Sequence, residues 1–195
     1  MCGCDLTRTP GRWQVARKAL AVLVATAAIA APCHAKSPGE TLPADAHAVV
    51  AFSPGQALRA VVDTIEGARS TILVAAYTFN SRPVASALLA ARRRGVSVSL
   101  VVDAAELAKG YSAARFLANQ GVPVRANGRY AIQHNKFMVI DGTTVQTGSF
   151  NYTAAAASRN AENVLVLSNM PSLAQAYTVE WRRLWNESTG VVPSY

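Results

Sequence analysis

One stretch of this sequence carries side chains whose types and spacing suit chemistry. His134 and Lys136 stand one residue apart. Asp141 follows, and Gly148, Ser149 and Asn151 close the stretch. Alternate residues of a strand share a face, so His134 and Lys136 point the same way, together with Met138 and Ile140, while Phe137 and Val139 take the other side. Asp141-Gly142 is a strong two-residue hairpin signal. It folds Gly148-Ser149-Phe150-Asn151 back beside the polar start of the strand. An imidazole, an ammonium, a hydroxyl and a carboxamide then converge, and the small Gly148 permits close backbone approach. This set suits a phosphodiester. Imidazole serves as nucleophile or general acid. Lys136 supplies a cation, and Ser149 and Asn151 supply donors, for the charge that grows on the non-bridging oxygens. Glu162, on the approach to the next strand, is placed to accept the Nδ1 proton of His134 and so fix which nitrogen attacks.

The surrounding pattern must build a scaffold that holds these groups. Val49–Phe52 reads as a short strand, closed by Ser53-Pro54-Gly55. Leu58, Val61, Val62 and Ile65 have helical spacing, and Thr71–Tyr77 is a continuous apolar run typical of a strand buried on both faces. Ser81 is a helix N-cap with Pro83 in the first turn. Val84, Leu88 and Leu89 form the stripe, and Arg92-Arg93-Arg94 falls in the last turn before Gly95. Val96–Asp103 is another strand. This alternation predicts an α/β fold, with a mixed, largely parallel central sheet flanked by helices. Further on, Ala104–Asn119 reads as helix with a break at Gly110-Tyr111. Val122–Val124 is extended and Arg125–Tyr130 a loop. Gln133–Ile140, Thr143–Thr147 and Asn163–Ser168 are strands, and Ala154–Ala157 is a helical turn. A final helix opens at Pro171, with Leu173, Tyr177, Trp181, Leu184 and Trp185 on one face, for core or dimer packing.

The chain has 195 residues, half of them apolar, and a formal charge of +8. That composition excludes a disordered chain. The N-terminus differs from the rest. Arg8, Arg12, Arg17 and Lys18 precede a 13-residue uncharged run, Ala19–Ala31, and Cys33-His34-Ala35 offers a small-x-small cleavage site. Residues 1–35 read as a secretory signal peptide, 36–46 as a flexible leader, and 47–195 as the catalytic domain. Cleavage after Ala35 leaves a charge of +5, no cysteine, and two histidines, His47 and His134. The expected location is periplasmic or secreted, with no stable membrane association after cleavage. The remaining charge suits a polyanion held by its backbone.

The motif His134-x-Lys136-x4-Asp141-x6-Gly148-Ser149-x-Asn151 resembles the whole signature of the phospholipase D superfamily, with no departure in type or spacing. The likeness runs from about Val49 to Trp185-Asn186. Arg92–Val96, Ile132–His134, Thr147–Asn151 and the Trp181/Trp185 helix are similar to the small secreted bacterial endonucleases of that superfamily, plasmid-encoded ones included. The resemblance implies the phospholipase D-like single domain. It implies that His134 forms a phosphohistidine, that Lys136, Ser149 and Asn151 bind phosphate, and that Glu162 orients His134. Asp141 belongs to the motif, with structural or electrostatic support as its expected role.

A leaving alkoxide needs a proton donor while the nucleophile stays unprotonated, so two groups are required. His47 lacks Lys, Ser or Asn companions. The simplest solution is a two-fold homodimer with a shared active site, each subunit contributing its His134. The resemblance implies the same, because longer members carry two motif copies and short ones dimerise. Two histidines, no cysteine and no clustered carboxylates supply no metal-ligand set, so neither metal nor other cofactor is expected. The leading expectation is a sequence-nonspecific endonuclease acting on DNA, and on RNA as a further substrate. The alternatives are a phospholipase D-type phosphodiesterase acting on lipid head groups, and a binding protein that has lost its chemistry. Arg92–Arg94 is expected to complement its helix end and, second, to contact nucleic-acid backbone. Arg125, Arg129 and Tyr130 are candidates for a nucleic-acid groove, with Tyr130 stacking.

Overall fold

The apolar runs without alternation become strands covered on both sides, and the striped segments become the helices that cover them. The computed structural model describes residues 42–194. Residues 1–35, expected to be a signal peptide, and 36–41 of the expected leader lie outside the described residues. In chain order the elements are β1 (His47–Ser53), α1 (Ala57–Glu66), β2 (Thr71–Ala76), α2 (Arg82–Arg93), β3 (Ser97–Asp103), α3 (Ala104–Ala108) and α4 (Ala113–Asn119). They continue with β4 (Val124–Asn127), β5 (Phe137–Ile140), β6 (Thr144–Gly148), α5 (Ala154–Ser158), β7 (Glu162–Ser168), α6 (Pro171–Asn186) and β8 (Thr189–Gly190). Ser81 caps α2, its hydroxyl accepting from the Val84 amide. The helical stretch expected over 104–119 is split at Gly110, whose φ is +34°.

All eight strands form one sheet, ordered β1-β7-β6-β5-β2-β3-β4-β8. The sheet is mixed, as expected, but it is not largely parallel. Only β2–β3 and β3–β4 run parallel, while the other five neighbouring pairs are antiparallel. The reason is the β5–β6 hairpin, which docks on the free side of β2 instead of crossing over a helix. Asp141 and Gly142 at its turn have φ of +54° and +67°, the left-handed pair that a tight hairpin needs.

Two cores result. On one face α1, α2 and α4 bury Val61, Ile65, Leu88, Leu100, Leu117 and Met138. On the other, α6 lays Trp181 and Leu184 over Ala75, Val101, Phe137, Val139 and Val145, with Leu173, Tyr177 and Trp185 at its margin. The stripe read from the sequence is thus a core face. The Trp181 indole N–H donates to the Val74 carbonyl at 2.8 Å, and Trp185 stacks on Trp181 with ring centroids 4.8 Å apart. Arg125 takes part in this packing. Strand β4 runs on to Asn127, and the Arg125 guanidinium donates to the Trp185 carbonyl and lies over its ring. Among the described residues no helix is long and apolar enough to cross a membrane.

Candidate active site

Strand directions give the sheet two distinct ends. The carboxyl ends of β2, β3 and β6 and the amino ends of β5 and β7 meet at one of them. A cleft of about 450 Å³ opens there, lined by His134, Lys136, Gly148, Ser149, Asn151 and Glu162, with Phe137 and Tyr177 below. The expected constellation therefore gathers in one place, with the exception of Asp141.

The segment before β5 departs from the expected strand. Gln133–Lys136 is a loop, and β5 begins at Phe137. Gln133 explains this. Its side chain is buried, donates to the Ala76 carbonyl at the end of β2 (3.1 Å) and accepts from the Asn135 amide (2.8 Å). Its own amide donates to Asp103 at the end of β3 (2.9 Å). A side chain thus replaces the strand ladder and lifts His134 out of the sheet. His134 is exposed and Lys136 half-buried, with the Lys136 ammonium donating to the His134 carbonyl at 2.8 Å. Burial pushes the Lys136 ammonium below the ordinary lysine range, and the Glu162 carboxylate pulls the other way.

Gly148 is dictated by the strand behind it. Its φ is +146°, and a Cβ there would overlap the Asn163 carbonyl oxygen. That close approach of β6 to β7 brings Ser149 onto Glu162. The Ser149 hydroxyl donates to Glu162 at 2.6 Å and accepts from the Asn163 amide at 3.0 Å. Asn160 donates to the other Glu162 oxygen at 2.9 Å. Glu162 is therefore occupied by Ser149 and Asn160, and no hydrogen bond joins it to His134. Asn151 lines the cleft with its Oδ1 buried and unpartnered.

The side chain that does contact the imidazole is Tyr77, which in the sequence reads as the last residue of an apolar strand. Its ring meets His134 edge-on, centroids 4.7 Å apart, and the Lys136 ammonium lies 5.4 Å from its centroid. Burial first, and the Glu106 carboxylate second, push the Tyr77 phenol up.

Asp141 does not join the cleft. It sits at the other end of β5, roughly 16 Å of strand away from Lys136 at about 3.3 Å per residue. There it accepts from the amides of Arg69, Ser70 and Thr71 and from the Ser70 hydroxyl, all within 2.8–2.9 Å. Burial pushes its carboxyl up, but these donors outweigh it and hold the group below the ordinary carboxylate range. His47 lies at that same distant end, opposite Ser168. So do Arg92–Arg94, and Arg94 donates to the carbonyls of Ile65, Glu66 and Ala68 at the end of α1. Among the described residues no three His, Cys, Asp or Glu side chains group as metal ligands.

A family model described as "Cardiolipin synthase, PLD-like domain" matches residues 61–185. A protein named phospholipase D from Rickettsia bellii is 37% identical over 128 residues, which are 66% of this chain and 63% of that protein. Mitochondrial cardiolipin hydrolase of Xenopus laevis is 38% identical over 121 residues, 62% of this chain and 57% of that one. This chain therefore spans about three-fifths of the length of these two proteins. The crystal structure of Nuc from Salmonella typhimurium, described as a phospholipase D family member, superposes with a TM-score of 0.74 at 36% identity. The match covers 76% of this chain and 99% of Nuc. NucT from Helicobacter pylori shares the fold at 19% identity, with a TM-score of 0.67 over 75% of this chain and all of NucT.

Proposed function

The chain belongs to the phospholipase D family of phosphodiester hydrolases, and from that premise we propose that it is a metal-independent, sequence-nonspecific endonuclease. Its substrate is DNA, with RNA as a further substrate. The carrying observation is the convergence of His134, Lys136, Ser149 and Asn151 on one open cleft. A ring nitrogen of His134 attacks phosphorus and the bond to the leaving sugar oxygen breaks. Lys136, Ser149 and Asn151 face the non-bridging oxygens as charge accumulates on them. Water then cleaves the phosphohistidine and returns the free imidazole.

The leaving oxygen needs a proton, and among the described residues no second histidine lies near the cleft, since His47 sits at the far end of the sheet. The His134 of a second copy of the chain supplies that proton and then accepts one from the attacking water. Two features support a two-fold dimer: His134 is exposed at the sheet end, and an apolar surface that no described helix covers lies on β1 and β7, the strand that brings Glu162 to the cleft. Val50 and Phe52 on edge strand β1 are 58% and 61% exposed. Their partners in register are Leu165 and Asn163, and Asn163 adjoins Glu162. Among the described residues no helix covers these strands on that side.

Nucleic acid is favoured over lipid because the cleft walls are mostly polar and offer no deep apolar cavity for acyl chains. The +5 charge of residues 36–195 acts in the same direction. The signal-like residues 1–35 support action outside the cytoplasm, in the periplasm or after secretion, and an exported form whose mass begins at Lys36 would bear this out. The deciding assay offers supercoiled plasmid and phosphatidylcholine vesicles, with and without EDTA, to native protein and to His134→Ala. Nicking that resists EDTA and is lost in the variant by about 10⁴-fold or more supports the proposal. Nicking that persists in the variant or vanishes with chelator overturns the mechanism. Lipid turnover without nicking transfers the assignment to the lipid reading.

A further inference from the structure

A second recess, about 340 Å³, adjoins the phosphate cleft and shares His134 and Asn135 with it. Its other walls differ in character. Ile132 and Tyr130, 52% and 38% exposed, leave large apolar surfaces in water beside a polar cleft, and Gln133, Leu184 and Arg183 complete the lining. Tyr130 is held in place. Its hydroxyl donates to Glu187 at 2.6 Å and accepts from Arg183, whose guanidinium lies 5.5 Å from the ring centroid. Arg183 is itself bracketed by Glu180 at 2.6 Å and Glu187 at 3.0 Å. With two carboxylates and a phenol on its donors, Arg183 is a brace for the aromatic ring and not a receptor for phosphate. An aromatic ring already fixed by such a brace loses little freedom on binding.

We propose that this recess receives a nucleobase of a nucleotide flanking the scissile phosphate, stacked on Tyr130 and packed against Ile132. The inference rests on the nuclease reading and deepens it. Two recesses that meet at His134 match the two chemically unlike halves of a nucleotide. The anionic half goes to Lys136, Ser149 and Asn151, and the flat, mostly apolar half to Tyr130 and Ile132. The exposed Asn135 carboxamide stands between them, within the lining of both, where a base edge would pass. A base seated in a recess has left its stack and its pairing partner. The site therefore selects an unpaired strand, or a base easily unpaired, without reading sequence, because every base has a face to stack.

The test uses a short single-stranded oligonucleotide with one natural phosphodiester among methylphosphonates, intact or with an abasic residue on either side of that bond. Native protein should show KM raised about tenfold when one particular flanking base is removed. It should also cut the single strand faster than the same sequence in duplex. Tyr130→Ala should raise KM on the intact oligonucleotide by a similar factor and lose the sensitivity to base removal. Tyr130→Phe, which keeps the ring, should retain most of that sensitivity. If native protein and Tyr130→Ala respond equally to base removal while both cut, the subsite is wrong and the nuclease reading stands. If native protein cuts no oligonucleotide at all, the nuclease reading falls, and the subsite with it.

Discussion

Replacing Asp141 by Asn separates the part of the motif that does chemistry from the part that builds the fold. Asp141 takes four hydrogen bonds at the end of the sheet remote from His134, three on Oδ1 and one on Oδ2. Asn tolerates the left-handed φ of +54°, so the hairpin turn survives the change. Its carbonyl keeps the Oδ1 contacts without the charge, and its NH2 is set against the Arg69 amide, which cannot accept. One charge-assisted bond is lost outright and three are weakened, a cost of about 2–3 kcal/mol. At about 2–4 °C per kcal/mol for a domain of this size, Tm should fall by about 5–10 °C. Initial rates of plasmid nicking at 25 °C should stay within about threefold. The pH dependence follows in sign. The folded-state carboxyl titrates below its unfolded value, so its contribution is complete above the unfolded pKa near 3.9. That contribution is lost as pH falls through the folded value, so the Tm gap between wild type and variant should close at acid pH. An unchanged Tm, or a hundredfold loss of rate in protein that remains folded at the assay temperature, would contradict a purely structural Asp141 and return it to the catalytic set.

Other substitutions probe the cleft directly. Gly148→Ala places a Cβ on the Asn163 carbonyl at a φ that L-residues rarely adopt. It should cost about 3 kcal/mol or more, and a melting curve within about 2 °C of wild type would contradict the close approach. Tyr77→Ala removes the surface against His134 and Lys136 and should lower kcat about tenfold with little change in KM. Tyr77→Phe should restore it. The rate should fall on the alkaline side as Lys136 deprotonates, at a pH below that of an ordinary lysine. Glu162→Gln removes the opposing carboxylate, so it should move that limb lower still in a pH–rate profile. Phe52→Asp on the uncovered face should yield monomers by light scattering and lose about a hundredfold or more in nicking; an active monomer would overturn the need for a second copy.

The features legible in the sequence are those set within a few residues. The turn at Asp141-Gly142, the Ser81 cap, the break at Gly110 and the α6 stripe each follow from local geometry and stand in the structure, although the hairpin connection takes in Thr143 as a third residue and pairs Ile140 with Thr144. What escaped depends on partners far along the chain. Nothing local says that β5 pairs with β2, some seventy residues earlier, and a βαβ pattern argues for parallel neighbours. Gln133 looks like a strand residue until Ala76 and Asp103 arrive to bond it. Arg94 reads as an exposed helix-end charge, yet it caps another helix. Asp103 left a usable signal. Asp103-x-x-Glu106 has the form of a helix-start capping motif, and Asp103 does accept from the Glu106 amide. The charge of Arg92–Arg94 pointed toward a polyanion, but these residues lie at the end of the sheet away from His134, so any contact they make with nucleic acid is remote from the cleft.

The spacing of the motif itself has a structural cause. Four residues separate Lys136 from Asp141, and those four, Phe137–Ile140, are the whole of β5. Asp141 pins the bottom of that strand to the residues that open β2, through its carboxylate and through its own amide, which donates to the Thr71 carbonyl at 2.9 Å. With the bottom fixed, the strand length decides which residue emerges at the top. Ala75 then pairs with Phe137, and the chain beyond it leaves the sheet beside Tyr77 as Lys136 and His134. A slip of one residue would turn Phe137 and Val139 away from α6 and carry Lys136 to the wrong face. The same register sets Phe137 opposite Thr147, which delivers Gly148 and Ser149 to the cleft from the other arm of the hairpin. Asp141 thus acts on the chemistry from the far end of the sheet, by fixing the register that brings imidazole, ammonium and hydroxyl to one cleft.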